Sequence, residues 1–135
     1  MVVGHTIHLR VRYEETDTMQ VVHYSKYLVY FEAGRIELLR SLGLVYRELE
    51  RDGLLIPVVK AVAEYHAPAR FDDEIMVRTW ISKVGTSSIR FDNEITRLPE
   101  NELLCAGHTV HVLVDKGGKP IKVPQEIRKR LSRTK

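Results

Sequence analysis

Asp17 is the residue whose type and setting best suit chemistry at a carbonyl. It lies in the run Arg12-Tyr13-Glu14-Glu15-Thr16-Asp17-Thr18-Met19-Gln20-Val21-Val22-His23-Tyr24-Ser25-Lys26-Tyr27, between a strand-like pattern and the start of the longest helical one. A helix start offers unpaired backbone N–H groups and roughly half a unit of positive charge, which suit an oxygen that turns negative during reaction. A carboxylate on the loop feeding that helix reaches the same place, either to attack the carbonyl carbon or to take a proton from water. The competing reading is that Asp17 and Thr18 only shape the loop, as these residue types do in turns. Residue types alone leave both readings open.

Other reactive side chains lack such a setting. Cys105 stands between Leu104 and Ala106 in a strand-like run with nothing beside it in sequence to make it a thiolate, and it reads as a buried structural cysteine. Six histidines raise the question of a metal. His5 and His8, like His108 and His111, are three apart on strands and point to opposite faces, so no metal site is expected. Gly117-Gly118 follows a strand but lacks the strand–turn–helix context of a phosphate loop.

The elements that must position Asp17 follow from periodicity. His5–Glu14 alternates, with Ile7, Leu9, Val11 and Tyr13 opposite His8, Arg10, Arg12 and Glu14, and predicts a half-buried strand. Tyr24–Leu42 repeats Tyr27, Leu28, Phe31, Leu38, Leu39 and Leu42 at helical spacing, with Glu32–Arg35 and Glu37–Arg40 pairs on its polar face. Ser25 suits the helix cap, Gly43 the stop, and Gly34 a close approach to another element. Val45–Arg51 predicts a short second helix. Val58–Ala67 predicts a largely buried strand, and Glu74–Lys83, Ser88–Leu98 and Leu103–Asp115 predict three more, with a turn at Pro68–Asp73 and a short helix opening at Pro124. This order predicts a single α+β domain over 1–135, a five-stranded antiparallel sheet with one long helix across it. One helix covers one face, so the bare face and the edges are expected to meet another copy.

Composition narrows the partners. With 135 residues, 44% apolar and 29% charged, the chain fits one globular domain and excludes disordered and low-complexity classes. A lone cysteine makes no internal disulfide, Met1–Arg12 lacks the apolar core of a signal peptide, and no run approaches the ~20 apolar residues of a membrane span. The expected location is the cytoplasm, with no membrane partner. The net charge of +3 is uneven: Lys116–Lys135 holds eight Lys or Arg against Glu126 alone, and the remainder holds 13 basic and 17 acidic residues. This basic tail has no aromatic residue and reads as a solvated terminal helix, so no nucleic-acid partner is expected.

The run Tyr13-x-Glu15-Thr16-Asp17-x-Met19-x-Val21-Val22-His23-x-x-x-Tyr27-Leu28-x-Tyr30-Phe31-Glu32-x-Gly34-Arg35-x-Glu37-x-Leu39-Arg40 resembles the opening motif of hotdog-fold acyl-CoA thioesterases of the 4-hydroxybenzoyl-CoA thioesterase and YbgC type. The similarity continues through Val58-Val59-Lys60, Tyr65, Pro68–Asp73 and Gly118-Lys119-Pro120, and so covers nearly the whole chain. The resemblance implies a hotdog fold, a long helix wrapped by a curved antiparallel sheet, and hydrolysis of an acyl-CoA. It implies Asp17 as the catalytic carboxylate, nucleophile or general base, and the backbone N–H near Tyr24 as the holder of the thioester carbonyl. It also implies a site between two subunits of a homodimer or homotetramer, and no cofactor beyond the coenzyme A of the substrate.

Two departures from the family pattern stand out. Gln20 occupies a position where many relatives have glycine, which predicts a different loop backbone, because glutamine resists positive φ. Relatives of the YbgC type often place histidine at the position of Tyr24, whereas here His23 precedes the tyrosine; His23 either orients Asp17 or the water, or is a hydrogen-bonded loop residue. Glu32 resembles the helix-borne acid of another branch of the hotdog thioesterases, but Arg35 offers it a salt bridge and favours a structural role. For the phosphates of coenzyme A the candidates are Lys60, then Lys83 and Arg90 around the turn that holds Ser87, with Lys116 and Lys119 beyond. An acyl carrier protein is the alternative carrier. A non-enzymatic module binding acyl-CoA or acyl carrier protein is the alternative function, and a hotdog dehydratase is a third reading whose histidine motif is missing.

Overall fold

Apolar alternation in four segments, an apolar run in a fifth and an apolar stripe along one longer segment produce the expected order of elements. The computed structural model describes residues 4–132. Strand β1 (His5–Arg10) leads through a single 3-10 turn (Tyr13–Glu15) and a loop to helix α1 (Lys26–Ser41) and a short helix α2 (Tyr46–Arg51). Then come β2 (Val58–Tyr65), β3 (Glu74–Val84), β4 (Ser88–Arg97), β5 (Glu102–Val112) and a terminal helix α3 (Gln125–Leu131). The strands form one antiparallel sheet in the order β1-β3-β4-β5-β2, with register shifts that mark bulges in β2, β3 and β5. Bulges add twist and bend to a sheet. Among the described residues no helix is long and apolar enough to cross a membrane.

Helix α1 lies on one face of this sheet. Its buried stripe is Tyr27, Tyr30, Phe31, Gly34, Arg35, Leu38 and Leu39, which keeps the three- and four-residue spacing of a helix face. Two expectations fail here. Leu28 is partly exposed and Arg35 is buried, because the stripe runs through 27, 31, 35 and 38 rather than through 28. The alternation of β3 and β4 brings Ile75, Val77, Ile81, Ile89, Phe91 and Ile95 to the same face. Gly34 provides the close approach its type predicts: a Cβ there would collide with Thr79 Oγ1 and come within 2.9 Å of Val77 Cγ1.

The ends of α1 divide into one success and one correction. Gly43, with φ +82, ends the helix, its N–H donating to the Arg40 carbonyl and that of Leu44 to the Leu39 carbonyl, each at 2.9 Å. Ser25 precedes the helix but makes no side-chain cap bond to it; its hydroxyl is engaged by His23 instead.

Strand β2 is the larger correction. The apolar run 58–67 predicts burial, yet β2 is an edge strand whose Val58, Val59 and Tyr65 are about half exposed. The face of the sheet turned away from α1 is not the apolar surface either. It carries the ion pairs Arg78–Glu94 at 3.3 Å and Arg90–Asp92 at 2.8 Å. Exposed apolar side chains lie at the β2 edge, on Leu28 and Val29 of α1, and around the Asp17 loop at Tyr13, Met19, Tyr24 and Phe71. Tyr13, expected on the buried side of β1, is exposed because the strand ends at Arg10 and the 3-10 turn sends Glu15 inward in its place.

Candidate active site

Asp17 opens a tight turn whose backbone closes on itself. The Gln20 N–H donates to the Asp17 carbonyl and the Asp17 N–H to the Val21 carbonyl, each at 2.9 Å, while Thr16 pairs with Val22. Such a turn needs a left-handed residue before the chain rejoins its partner strand. Gln20 supplies it with φ 65. The premise that glutamine resists positive φ fails at this position: the turn imposes the left-handed conformation on a residue that disfavours it. Asp17 Oδ1 accepts the Met19 N–H at 2.8 Å, the self-bonding habit of aspartate in turns. Among the described residues Asp17 Oδ2 has no hydrogen-bond or ion-pair partner.

The loop is braced from below by Glu15. Its buried carboxylate accepts the Arg12 N–H and the Tyr30 hydroxyl, both at 2.9 Å, and lies 3.2 Å from the Arg12 guanidinium. Burial pushes its pKa up, but these bonds and the guanidinium charge outweigh burial and hold the carboxyl below its ordinary range. The Glu15 carbonyl accepts the His23 N–H at 2.9 Å, so the brace spans both arms of the loop.

His23 and Tyr24 form the approach to α1. His23 Nδ1 lies 3.2 Å from the Ser25 N–H and 2.8 Å from the Ser25 hydroxyl. A backbone N–H only donates, so Nδ1 is the acceptor and the ring proton of the neutral histidine sits on Nε2. The His23 carbonyl accepts the Lys26 N–H at 2.9 Å. His23 thus holds the cap residue Ser25 with its ring and the first helical N–H with its carbonyl, and no bond joins it to Asp17. Its ring stacks on Tyr24 at 4.5 Å. The Tyr24 carbonyl accepts the Tyr65 hydroxyl at 3.0 Å, whereas the Tyr24 N–H makes no hydrogen bond among the described residues. From the other side, the Val22 N–H donates to the Ala69 carbonyl at 2.8 Å and the Ala69 N–H to the Tyr27 hydroxyl at 3.1 Å.

Two open cavities flank this segment. One, of about 300 Å³, is lined by Tyr13, Thr16, Asp17, Gln20, Arg70 and Phe71. The other, of about 310 Å³, is lined by Val22, Tyr24, Tyr27, Tyr65 and the 66–68 turn. The Thr16–Val22 pair joins their walls. Residue reasoning did not single out Arg70 and Phe71 beside Asp17. The signal available was an aromatic residue inside an otherwise polar turn, and Phe71 is indeed half exposed, edge-on to Tyr13 at 5.6 Å.

The remaining expected site residues are not gathered here within one chain. Lys60 lies on the open β2 edge. Lys83, Ser87 and Arg90 sit around the β3–β4 turn. That turn lies the length of β3 away from the 70–73 segment, about 30 Å at the rise of a strand. Arg90 is held by Asp92. Glu32 is mostly exposed and 3.8 Å from Arg35, in keeping with the structural reading. Cys105 is fully buried, and burial pushes its thiol up to about 12, an inert group.

The comparisons with known proteins agree with this architecture. The thioesterase-like superfamily model matches residues 11–131. The acyl-CoA thioesterase YbgC of Haemophilus influenzae is 38% identical over 128 residues, 93% of this chain and 92% of that one. Among solved structures, protein TT1821 of Thermus thermophilus superposes with a TM-score of 0.91 at 36% identity, covering 96% of this chain and 98% of the other. A 4-hydroxybenzoyl-CoA thioesterase variant complexed with 4-hydroxybenzoyl-CoA shares the fold at a TM-score of 0.86 and 20% identity, covering 95% and 98% of the two chains. With a family match over most of its length and a YbgC relative aligned nearly end to end, the chain belongs to the thioesterase-like superfamily, as a hotdog-fold thioesterase of the YbgC type.

Proposed function

We propose that the protein hydrolyses the thioester of an acyl-CoA, with Asp17 as the reacting carboxylate and the Tyr24 N–H as the donor that holds the thioester oxygen. The observation that carries this reading is the state of Asp17: one oxygen is pinned by the Met19 N–H and the other is unpaired, on a loop that runs directly into the start of α1. Attack on a thioester carbonyl drives negative charge onto its oxygen. A free N–H beside the positive end of a 16-residue helix lowers that barrier, and loss of one such donor typically costs ~3 kcal/mol. Asp17 acts either by attacking the carbonyl carbon, giving an anhydride that water opens, or by taking a proton from the attacking water. Both routes end with the hydroxyl of water on the acyl group and its proton on the sulfur of coenzyme A. Neither route calls on a metal or a further cofactor.

His23 serves this site by fixing the helix start. The oligomer belongs to the same proposal: a second copy lying along the β2 edge would cover Val58 and Val59 and bring further cations, among them Lys60, Lys83 or Arg90 with the turn at Ser87, within reach of the phosphates.

The test is thiol release from short, long, aromatic and hydroxylated acyl-CoAs and from an acyl carrier protein thioester, with native protein and Asp17→Asn. Asparagine keeps an oxygen for the Met19 N–H, so the turn should survive. The expected result is hydrolysis by native protein and a loss of about 100-fold or more in kcat for the variant at similar KM. Equal activity of the variant, or no hydrolysis of any substrate by native protein, overturns the reading.

A further inference from the structure

One buried cation has no part in the mechanism above. Arg35 is only 5% exposed. Its Nε is buried without an acceptor, and its ion-pair partner Glu32 lies 3.8 Å from Nη2, beyond hydrogen-bond reach. A guanidinium taken out of water with donors unpaired is unfavourable unless another group completes it. Arg35 lines a cavity of about 240 Å³ together with Leu28, Val29, Val58, Glu32 and Thr109.

Thr109 supplies the complement to Arg35. The Ile56 carbonyl, which only accepts, lies 3.0 Å from His111 Nδ1, so that nitrogen carries the proton. His111 Nε2 therefore accepts the Thr109 hydroxyl at 2.9 Å. Thr109 Oγ1 has spent its proton and keeps only acceptor capacity. The cavity thus offers the charged donor Arg35 and the neutral acceptor Thr109 between aliphatic walls, with the mostly exposed Glu32 carboxylate on its rim. A hydroxyl, which accepts and donates, satisfies both. A carboxylate would only accept and would set a second negative charge beside Glu32, and a plain hydrocarbon would give the guanidinium no acceptor beyond the long ion pair with Glu32.

We infer that this cavity receives the far end of the acyl group and that Arg35, with Thr109, selects acyl-CoAs whose aliphatic chain carries a hydroxyl. The inference deepens the proposed thioesterase reading and rests on it. Arg35 lies nine positions after Lys26, about 14 Å along the helix, and an arginine side chain leans back toward the helix start. The hydroxyl is therefore several carbons from the thioester.

The test compares kcat/KM for hexanoyl-, 6-hydroxyhexanoyl- and adipoyl-CoA, and for the matching eight-carbon set, in native protein and Arg35→Met. Native protein should favour a hydroxylated substrate over its hydrocarbon counterpart by about tenfold or more, and Arg35→Met should abolish that preference while still hydrolysing the hydrocarbon. Arg35→Gln, which keeps donors, should restore part of it. Should Arg35→Met not fold, Thr109→Val reads the same preference. An unchanged preference in the folded variants, a native preference for adipoyl-CoA, or a change of oligomer mass on substitution with selectivity intact overturns the inference. Absence of hydrolysis of every substrate by native protein instead overturns the thioesterase reading beneath it.

Discussion

Asp17 divides its carboxylate: Oδ1 closes the turn and Oδ2 has no partner among the described residues. The two readings that residue types held apart, loop shaper and reacting group, are therefore compatible, and the sequence could not say so because the division is made by the two oxygens of one side chain. Gln20 is the opposite lesson. Its type argued against a left-handed conformation, but the closing bonds of the turn impose one. Relieving it should help: Gln20→Gly is expected to raise stability by about 1 kcal/mol, read as a higher urea midpoint at unchanged slope. Neither the role of Glu15 nor that of Arg35 was legible. A charge at a helical or strand position reads as solvated until its surroundings are brought in from distant segments, Tyr30 beside Glu15 and the β-sheet over Arg35.

At the scale of elements, the long helix and all five strands were legible because periodicity is local. Their burial was less so. The apolar run of β2 looks the same in sequence whether the strand is central or at an edge, and only the order β1-β3-β4-β5-β2 decides. The contact between α1 and β3 is where elements constrain each other most closely. Thr79 Oγ1 donates to Asn93 Oδ1 at 2.8 Å directly beneath Gly34, so Thr79 cannot turn aside freely. Gly34→Ala should lower stability by about 2 kcal/mol, although alanine is the better helix former, because overpacking outweighs propensity. Thermal unfolding of the variant checks this.

At the scale of the molecule, charge and acid sensitivity have local explanations. Part of the basic tail caps other elements. Arg130 donates to the Gly43 carbonyl at 3.1 Å, at the end of α1, and Arg128 to the Gly85 carbonyl at 2.7 Å. Arg133 and Lys135 lie outside the described residues. His111 is fully buried; burial and then the Arg35 charge press its pKa down to about 4, against the bond to Ile56. Unfolded, it takes up a proton near 6.5, so between these values the unfolded chain binds more protons and stability falls as pH falls. The loss should approach about 3 kcal/mol from pH 7 to pH 4, joined toward the acid end by the depressed carboxyl of Glu15. Melting temperature followed across that range should drop accordingly, and the drop should be shallower in His111→Gln.

The open β2 edge has one more consequence, in mass action. If the site is finished only when two chains lie edge to edge, the catalyst is the pair, and the number of working sites grows faster than in proportion to the number of chains until pairing saturates. Val58 and Val59 would then link the cell's investment in this protein to its output nonlinearly. In that case the exposure of these two residues would make the amount of protein an input to its own activity.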